Sequence, residues 1–238
     1  MKWLVLLEDV KKSDFDNLSN LLRSSDEFSL ITDNSKYYLT SSRWESLTNH
    51  SAVYWEATKP LRDISAVARI KFTDFPLLKP DMIYEVDEEG KRHGWRALSA
   101  TINVGSSCSV SIQLEGGQDI IPILEFDSWM KLAEEDEIVK NVFRQITEFE
   151  PNWINLYKVY EIVQNDAGKK KIQQWTKNKI SLFTHTANSQ RAIGDDARHG
   201  VDNNNNDPPK EPMPLSEAKA LIMTLLEKWL LWKCEQQK

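Results

Sequence analysis

Cysteine is nearly missing from this chain: Cys108 and Cys234 are the only two in 238 residues, far apart, with no CxxC spacing and no clustered histidine. That scarcity excludes a disulfide framework, disfavours a zinc site, and fits a reducing cytoplasm. Long apolar runs are missing as well. The most hydrophobic stretch, near residues 216 to 236, is interrupted by Lys219, Glu227, Lys228 and Lys233, so no uncharged run reaches the roughly 20 residues of a membrane helix. The opening MKWLVLLEDVKK has one lysine and five apolar residues in a row before the acidic Glu8. It lacks the apolar core and small-residue cleavage site of a secretory leader and reads as a first strand. No GxSxG or HExxH occurs, and the glycines at 116 and 117 lack the further glycines and lysine of a phosphate loop. No internal repeat is found. Neither a metal nor an organic cofactor is expected.

One lysine-rich window lacks acidic residues in a chain that is acidic overall. The formal net charge is −6, which argues against nonspecific coating of nucleic acid. Yet between Ala167 and Gly194 stand Lys169, Lys170, Lys171, Lys177, Lys179 and Arg191 without one Asp or Glu, so this window carries +6 and the remainder −12. On charge alone such a run is a solvated helix face.

What is present is a globular composition, 40% hydrophobic and 28% charged, enough for two compact domains. The first half mixes signals. Lys2 to Leu7, Lys36 to Thr40 and Ala52 to Ala57 read as strands, and Pro60 leads a helix carrying Leu61, Ile64, Val67, Ala68 and Phe72. Met82 to Val86, the turn at Asp87 to Lys91, Trp95 to Val104 and Ser107 to Leu114 read as an antiparallel meander, with Ile120 to Phe126 as a further strand. Helical periodicity follows. Asp127 or Ser128 is the expected cap of a helix bearing Ile138, Val139, Val142, Phe143, Ile146 and Phe149; Asn152 caps the next, with Trp153, Leu156, Tyr157, Tyr160 and Val163 on one stripe. A shorter segment holds Trp175, Ile180, Phe183 and Ala187, and a last helix from Ser216 carries Ala218, Leu221, Ile222, Leu225, Leu226 and Trp229. The fold class is therefore α+β: a mixed α/β-meander domain over 1–127 that senses or docks, then an all-α bundle over 128–238. The Asn- and Pro-rich tract 201–214 reads as a disordered loop.

The polar stretch from 183 to 200 is where chemistry concentrates. It holds His185, Asn188, Arg191, Asp195, Asp196, Arg198 and His199 between helices. A histidine exchanges protons near neutral pH, and an arginine stabilises charge developing on phosphate. The plain alternative is that Asp195 or Asp196 pairs with Arg198 to pin the loop while His199 caps the turn before Gly200. His50 and His93 read as surface residues, His50 in a loop, and the cluster Asp87, Glu88, Glu89 reads as a hairpin turn.

A helical bundle with a basic flank, an arginine, a short polar insert and the closing ArgHisGly at 198 to 200 resembles the HEPN superfamily, in particular the ApeA-like group with a β-rich N-terminal domain. The likeness covers about the last 110 residues. It implies a metal-independent endoribonuclease of a bacterial defence or stress system, with His199 as proton carrier, Arg191 or Arg198 stabilising the phosphorane, and Asp195 and Asp196 beside them. It implies a homodimer, RNA or a nucleotide as ligand, and a companion protein of the defence system. Lys169, Lys170, Lys171, Lys177, Lys179, Trp175 and Asn188 would then contact the nucleic acid. The spacing departs from the family: seven residues separate Arg191 from His199, where four to six are usual, and Arg198 is adjacent. That departure favours the other reading the family offers, a non-catalytic module that binds a nucleotide, nucleic acid or partner. With nine tryptophans in a polar chain, an adaptor with an exposed aromatic surface is a third reading.

Overall fold

A computed structural model describes residues 2–23, 25–34, 36–96, 124–198 and 207–237. The expected strand Ser107 to Leu114, most of Trp95 to Val104, Cys108 and His199 lie outside these residues.

The first half is a sheet with helices on one face. Its elements are β1 (Lys2–Leu7), α1 (Lys12–Leu21), β2 (Phe28–Asp33), β3 (Lys36–Ser41), α2 (His50–Lys71), β4 (Pro80–Val86) and β5 (Arg92–Arg96). The strands are antiparallel in the order β2-β3-β1-β4-β5. Register places Val5 opposite both Leu39 and Ile83, so these three share one face. All three are buried, together with Trp3 and Leu7 on the same side of β1, in a core they share with α2. The β4–β5 turn forms as its sequence reads. Asp87 Oδ1 accepts the N–H groups of Glu89 and Lys91, and Gly90 takes φ +81°. His93 is exposed, with a ring nitrogen 3.1 Å from the Asp87 carboxylate.

Two expectations are corrected in α2. Ala52 to Ala57 is helix, not strand, and Pro60 sits inside a 22-residue helix rather than at its start. The β-branched and aromatic residues Val53, Tyr54 and Trp55 favour a strand locally. The Asn49 side chain, however, accepts the Ala52 N–H at 2.9 Å, and Val53, Ala57, Leu61, Ile64 and Ala68 continue one fully buried stripe straight through the proline. Burying that stripe outweighs the backbone hydrogen bond that Pro60 cannot make. His50 is accordingly the first helical residue, half-buried, its ring stacked on Trp95 at 4.9 Å, and not part of a loop.

The remaining helices are α3 (Leu124–Glu135), α4 (Glu137–Glu148), α5 (Trp153–Ala167), α6 (Lys169–Trp175), α7 (Lys179–Ala187), α8 (Gln190–Ile193) and α9 (Leu215–Gln236). The start of α3 corrects two further expectations: residues 124–126 are helical, not the end of a strand, and Asp127 and Ser128 lie inside the helix. Asp136 is the cap that matters. It accepts the N–H groups of Ile138 and Val139 and so separates α3 from α4. Asn152 caps α5 as its sequence predicts, and Gly168 at φ +86° turns the chain from α5 into α6, a conformation other residues adopt only with strain.

Buried side chains from both sides of residue 127 form one cluster. Three cations stitch its seams. Arg69 of α2 donates Nη1 to the Ile146 carbonyl at the end of α4 and Nε to Phe75. Lys71 reaches Glu125 at 3.2 Å and Glu227 at 2.5 Å, over the Trp129 ring. Lys233 meets Asp136 at 2.6 Å and Asp166 at 3.1 Å, and Asp166 also accepts the Trp229 indole N–H at 2.7 Å. Five of the nine tryptophans are buried, and Trp55 alone is widely open, at 72%. That leaves little aromatic surface for an adaptor. No helix among the described residues is long and apolar enough to cross a membrane.

Candidate functional site

The polar segment leaves α7 and returns to it. Neighbouring residues at the end of α7 receive both arms: the Ala187 carbonyl accepts the Arg198 N–H at 2.9 Å, and the Thr186 hydroxyl accepts the Met213 N–H at 3.1 Å. Ala197 and Met213 are buried beside these bonds, at 6% and 3% exposure. The result is a neck that fixes the chain on both sides of residues 199–212. Of the tract expected to be disordered, residues 207–214 are placed; they adopt no regular structure, but Met213 anchors them.

Within the neck the two arginines differ. Arg198 lies against α5, its Nη2 2.8 Å from Glu161 and its guanidinium 4.3 Å from the centre of the Tyr157 ring. Its partner is thus Glu161, and not its sequence neighbours Asp195 or Asp196, which stand exposed in a 3-10 turn after Gly194. Arg191 points outward from α8 with its side chain 63% exposed; its Nη1 is 4.0 Å from the Asp207 carboxylate, while the Asp207 carbonyl lies 3.0 Å from a His185 ring nitrogen. Asn188 is turned inward, donating to the Thr184 carbonyl at 2.8 Å and the Tyr157 hydroxyl at 3.3 Å. Its Oδ1 and the Ser189 hydroxyl are buried without a hydrogen-bond partner among the described residues. Burial holds the neighbouring Tyr160 phenol above its ordinary pKa, with Tyr157 adding to the shift.

The basic flank lies at the far end of α5. From Glu161 to Ala167, where α5 ends, the helical rise spans roughly 9 Å. Lys169, Lys170 and Lys177 are exposed, whereas Lys171 lies over the Trp232 ring at 4.3 Å and Lys179 pairs with Glu217 at 3.3 Å. Trp175 is half-buried, its ring 6.0 Å from Trp232 and its carbonyl taking the Lys228 ammonium at 2.6 Å. Arg191 contacts Asp207, and Arg198 contacts Tyr157 and Glu161 of α5, three residues that the sequence alone does not single out for the site. Tyr157 and Glu161 stand i, i+4 on α5, a spacing that shares one helix face. Nothing local ties that face to Arg198, 37 residues on.

No family model, curated protein or solved structure matches this chain.

Proposed function

We propose that the chain is a HEPN-like, metal-independent endoribonuclease of a bacterial defence or stress-response system, in which His199 moves the proton and Arg191 is the phosphate-facing cation. The observation that supports this assignment is the unequal exposure of the two arginines. The Arg198 side chain is 33% exposed and lies between Glu161 and the Tyr157 ring, whereas the Arg191 side chain, beside Asp207, is 63% exposed and within reach of an approaching phosphate. The exposed lysines of α6 add a positive approach for a phosphate backbone.

In the proposed reaction the 2′-oxygen of RNA forms a bond to the adjacent phosphorus and the bond to the 5′-oxygen breaks. The proton that leaves the 2′-hydroxyl ends on the departing oxygen by way of His199, while Arg191 stabilises the charged phosphorane. A homodimer would bring two such loops together, and the N-terminal sheet would sense the trigger or dock a companion protein. The wide Arg191-to-His199 spacing and the tethered Arg198 favour a second reading, a module that binds RNA or a nucleotide without cutting it.

The test incubates purified protein with RNA in the presence of EDTA. Cleavage that disappears in His199→Ala and in Arg191→Ala, but survives in Arg198→Lys, supports the nuclease. Binding without cleavage, unchanged by His199→Ala, would replace it with the second reading.

A further inference from the structure

We propose that the cleft between α2 and α4 is a binding site for a phosphate group carried by a small molecule, separate from the Arg191 segment. The cleft has a volume of about 290 Å³ and is lined by Arg62 of α2 and by Glu137, Lys140, Asn141 and Arg144 of α4. Three of these five side chains are cations, contributed by two helices.

The α4 residues follow from spacing. Positions 137, 140, 141, 144 and 148 fall on one edge of a helix, where pairs such as Lys140 with Glu137 and Arg144 with Glu148 form along the surface. Such exposed pairs contribute little to stability, so an incoming anion displaces them readily. Arg62 is held differently. Its Nε lies 3.2 Å from Oδ1 of Asp63, whose side chain is 2% exposed, and Lys59 stands 3.5 Å from the other carboxylate oxygen. Burial pushes the Asp63 carboxyl above its ordinary pKa, while Arg62 and Lys59 draw it back. A carboxylate in that position is expensive to keep charged. What it does here is fix a guanidinium by its Nε edge.

Nη1 of each arginine remains open to a stronger acceptor. Arg144 donates Nη2 to Asn141 Oδ1 at 3.0 Å. Its Nη1 and Nη1 of Arg62 each lie 3.7 Å from the Glu148 carboxylate. That separation exceeds a hydrogen bond. Glu148 is 42% exposed and can swing into solvent. A phosphate dianion, with three acceptor oxygens, satisfies two guanidinium edges and one ammonium together, as a single carboxylate at that range does not. No aromatic or apolar side chain lines the cleft on which a base or acyl chain would rest, so the phosphate is the recognised group and the rest of the molecule stays in water.

The experiment titrates the full chain at low ionic strength with inorganic phosphate and, separately, with AMP, by calorimetry or phosphorus NMR. Saturable binding is expected, weakened about ten-fold or more in Lys140→Ala/Arg144→Ala, tightened in Glu148→Gln, and unaltered in Arg191→Ala. The substituted α4 residues are surface groups, and an unchanged urea midpoint verifies that the fold is intact. Equal affinity for the two probes makes the phosphate the sole determinant; tighter AMP binding extends the site to its nucleoside. Absence of saturable binding by either probe overturns the proposal, as does binding that survives Lys140→Ala/Arg144→Ala or is lost instead in Arg191→Ala.

Discussion

At the seam of α4, α5 and α9, Lys233 is 12% exposed and held by two carboxylates, whereas along α6 Lys169 and Lys170 stand in solvent within a stretch of sequence that has no acid at all. The bundle thus uses the same residue type in two ways. In the seam, charge is paired, half-desolvated and directed at a helix cap, so it acts on stability. On α6 the charge is unshielded and acts on whatever approaches. Removing a cation should therefore have opposite signatures in the two places.

The largest effect belongs to the seam. Lys233→Met leaves Asp136 and Asp166 facing one another without a counter-charge and should lower unfolding free energy by about 3 kcal/mol, read from urea denaturation, with RNA affinity intact. A variant as stable as wild type would mean that packing of α9, not the ion pairs, closes the seam. Next comes the exposed side. Lys169→Glu/Lys170→Glu/Lys177→Glu should reduce RNA affinity about ten-fold or more at low salt and flatten its salt dependence. Its urea midpoint should hold or rise, because Glu at 169 and 170 enters the first turn of α6, where the helix dipole favours negative charge. Binding unchanged by this reversal would dissolve the distinction.

The two arginines repeat the contrast on a smaller scale. Arg198→Ala loses a partly exposed ion pair and a ring contact, about 1 kcal/mol of stability together; Arg191→Ala should stay within about 0.5 kcal/mol. Thermal melts of the two variants separate them, and the reverse order would exchange their roles. Smallest is the acid limb of the pH profile. Burial pushes the Asp136 carboxyl up, but Lys233 and two backbone N–H groups more than offset it and hold it below its ordinary value near 3.8. The seam's contribution is therefore present above that value and fades as pH falls through the depressed one. Burial likewise pushes Lys233 down, yet its two carboxylates raise it above its ordinary value near 10.5, so its share is complete below that value and lost as pH rises through the raised one. Urea midpoints at pH 3, 7 and 11 check both limbs; Lys233→Met should abolish the alkaline limb and shrink the acid one, since the Ile138 and Val139 N–H groups still hold Asp136.

Much of the helical half was legible because periodicity and caps agreed. Asn152, Gly168 and the stripe from Trp153 to Val163 all appear where spacing puts them. Around Val53 to Trp55 the local and the nonlocal signals conflicted, and only burial of the stripe against the sheet and α4 decides for helix. At Leu124 the strand-like Ile120 to Phe126 run hid a helix start. The site was legible only as a segment. Arg191 and Arg198 look equivalent in sequence, and what divides them is Glu161 and Tyr157 on a helix folded against them from earlier in the chain.

The neck at Thr186 and Ala187 has a consequence for the segment it encloses. Because the chain is gripped at Arg198 and again at Met213, the length between those grips is uncoupled from the packing of α7 and α9. Doubling the length of a connection adds only about 0.6 kcal/mol in closure entropy. Changes in length between the grips therefore bear little on the scaffold, and what constrains composition there is the chemistry proposed for His199 and the Asp207 contact to Arg191, not the packing of α7 and α9.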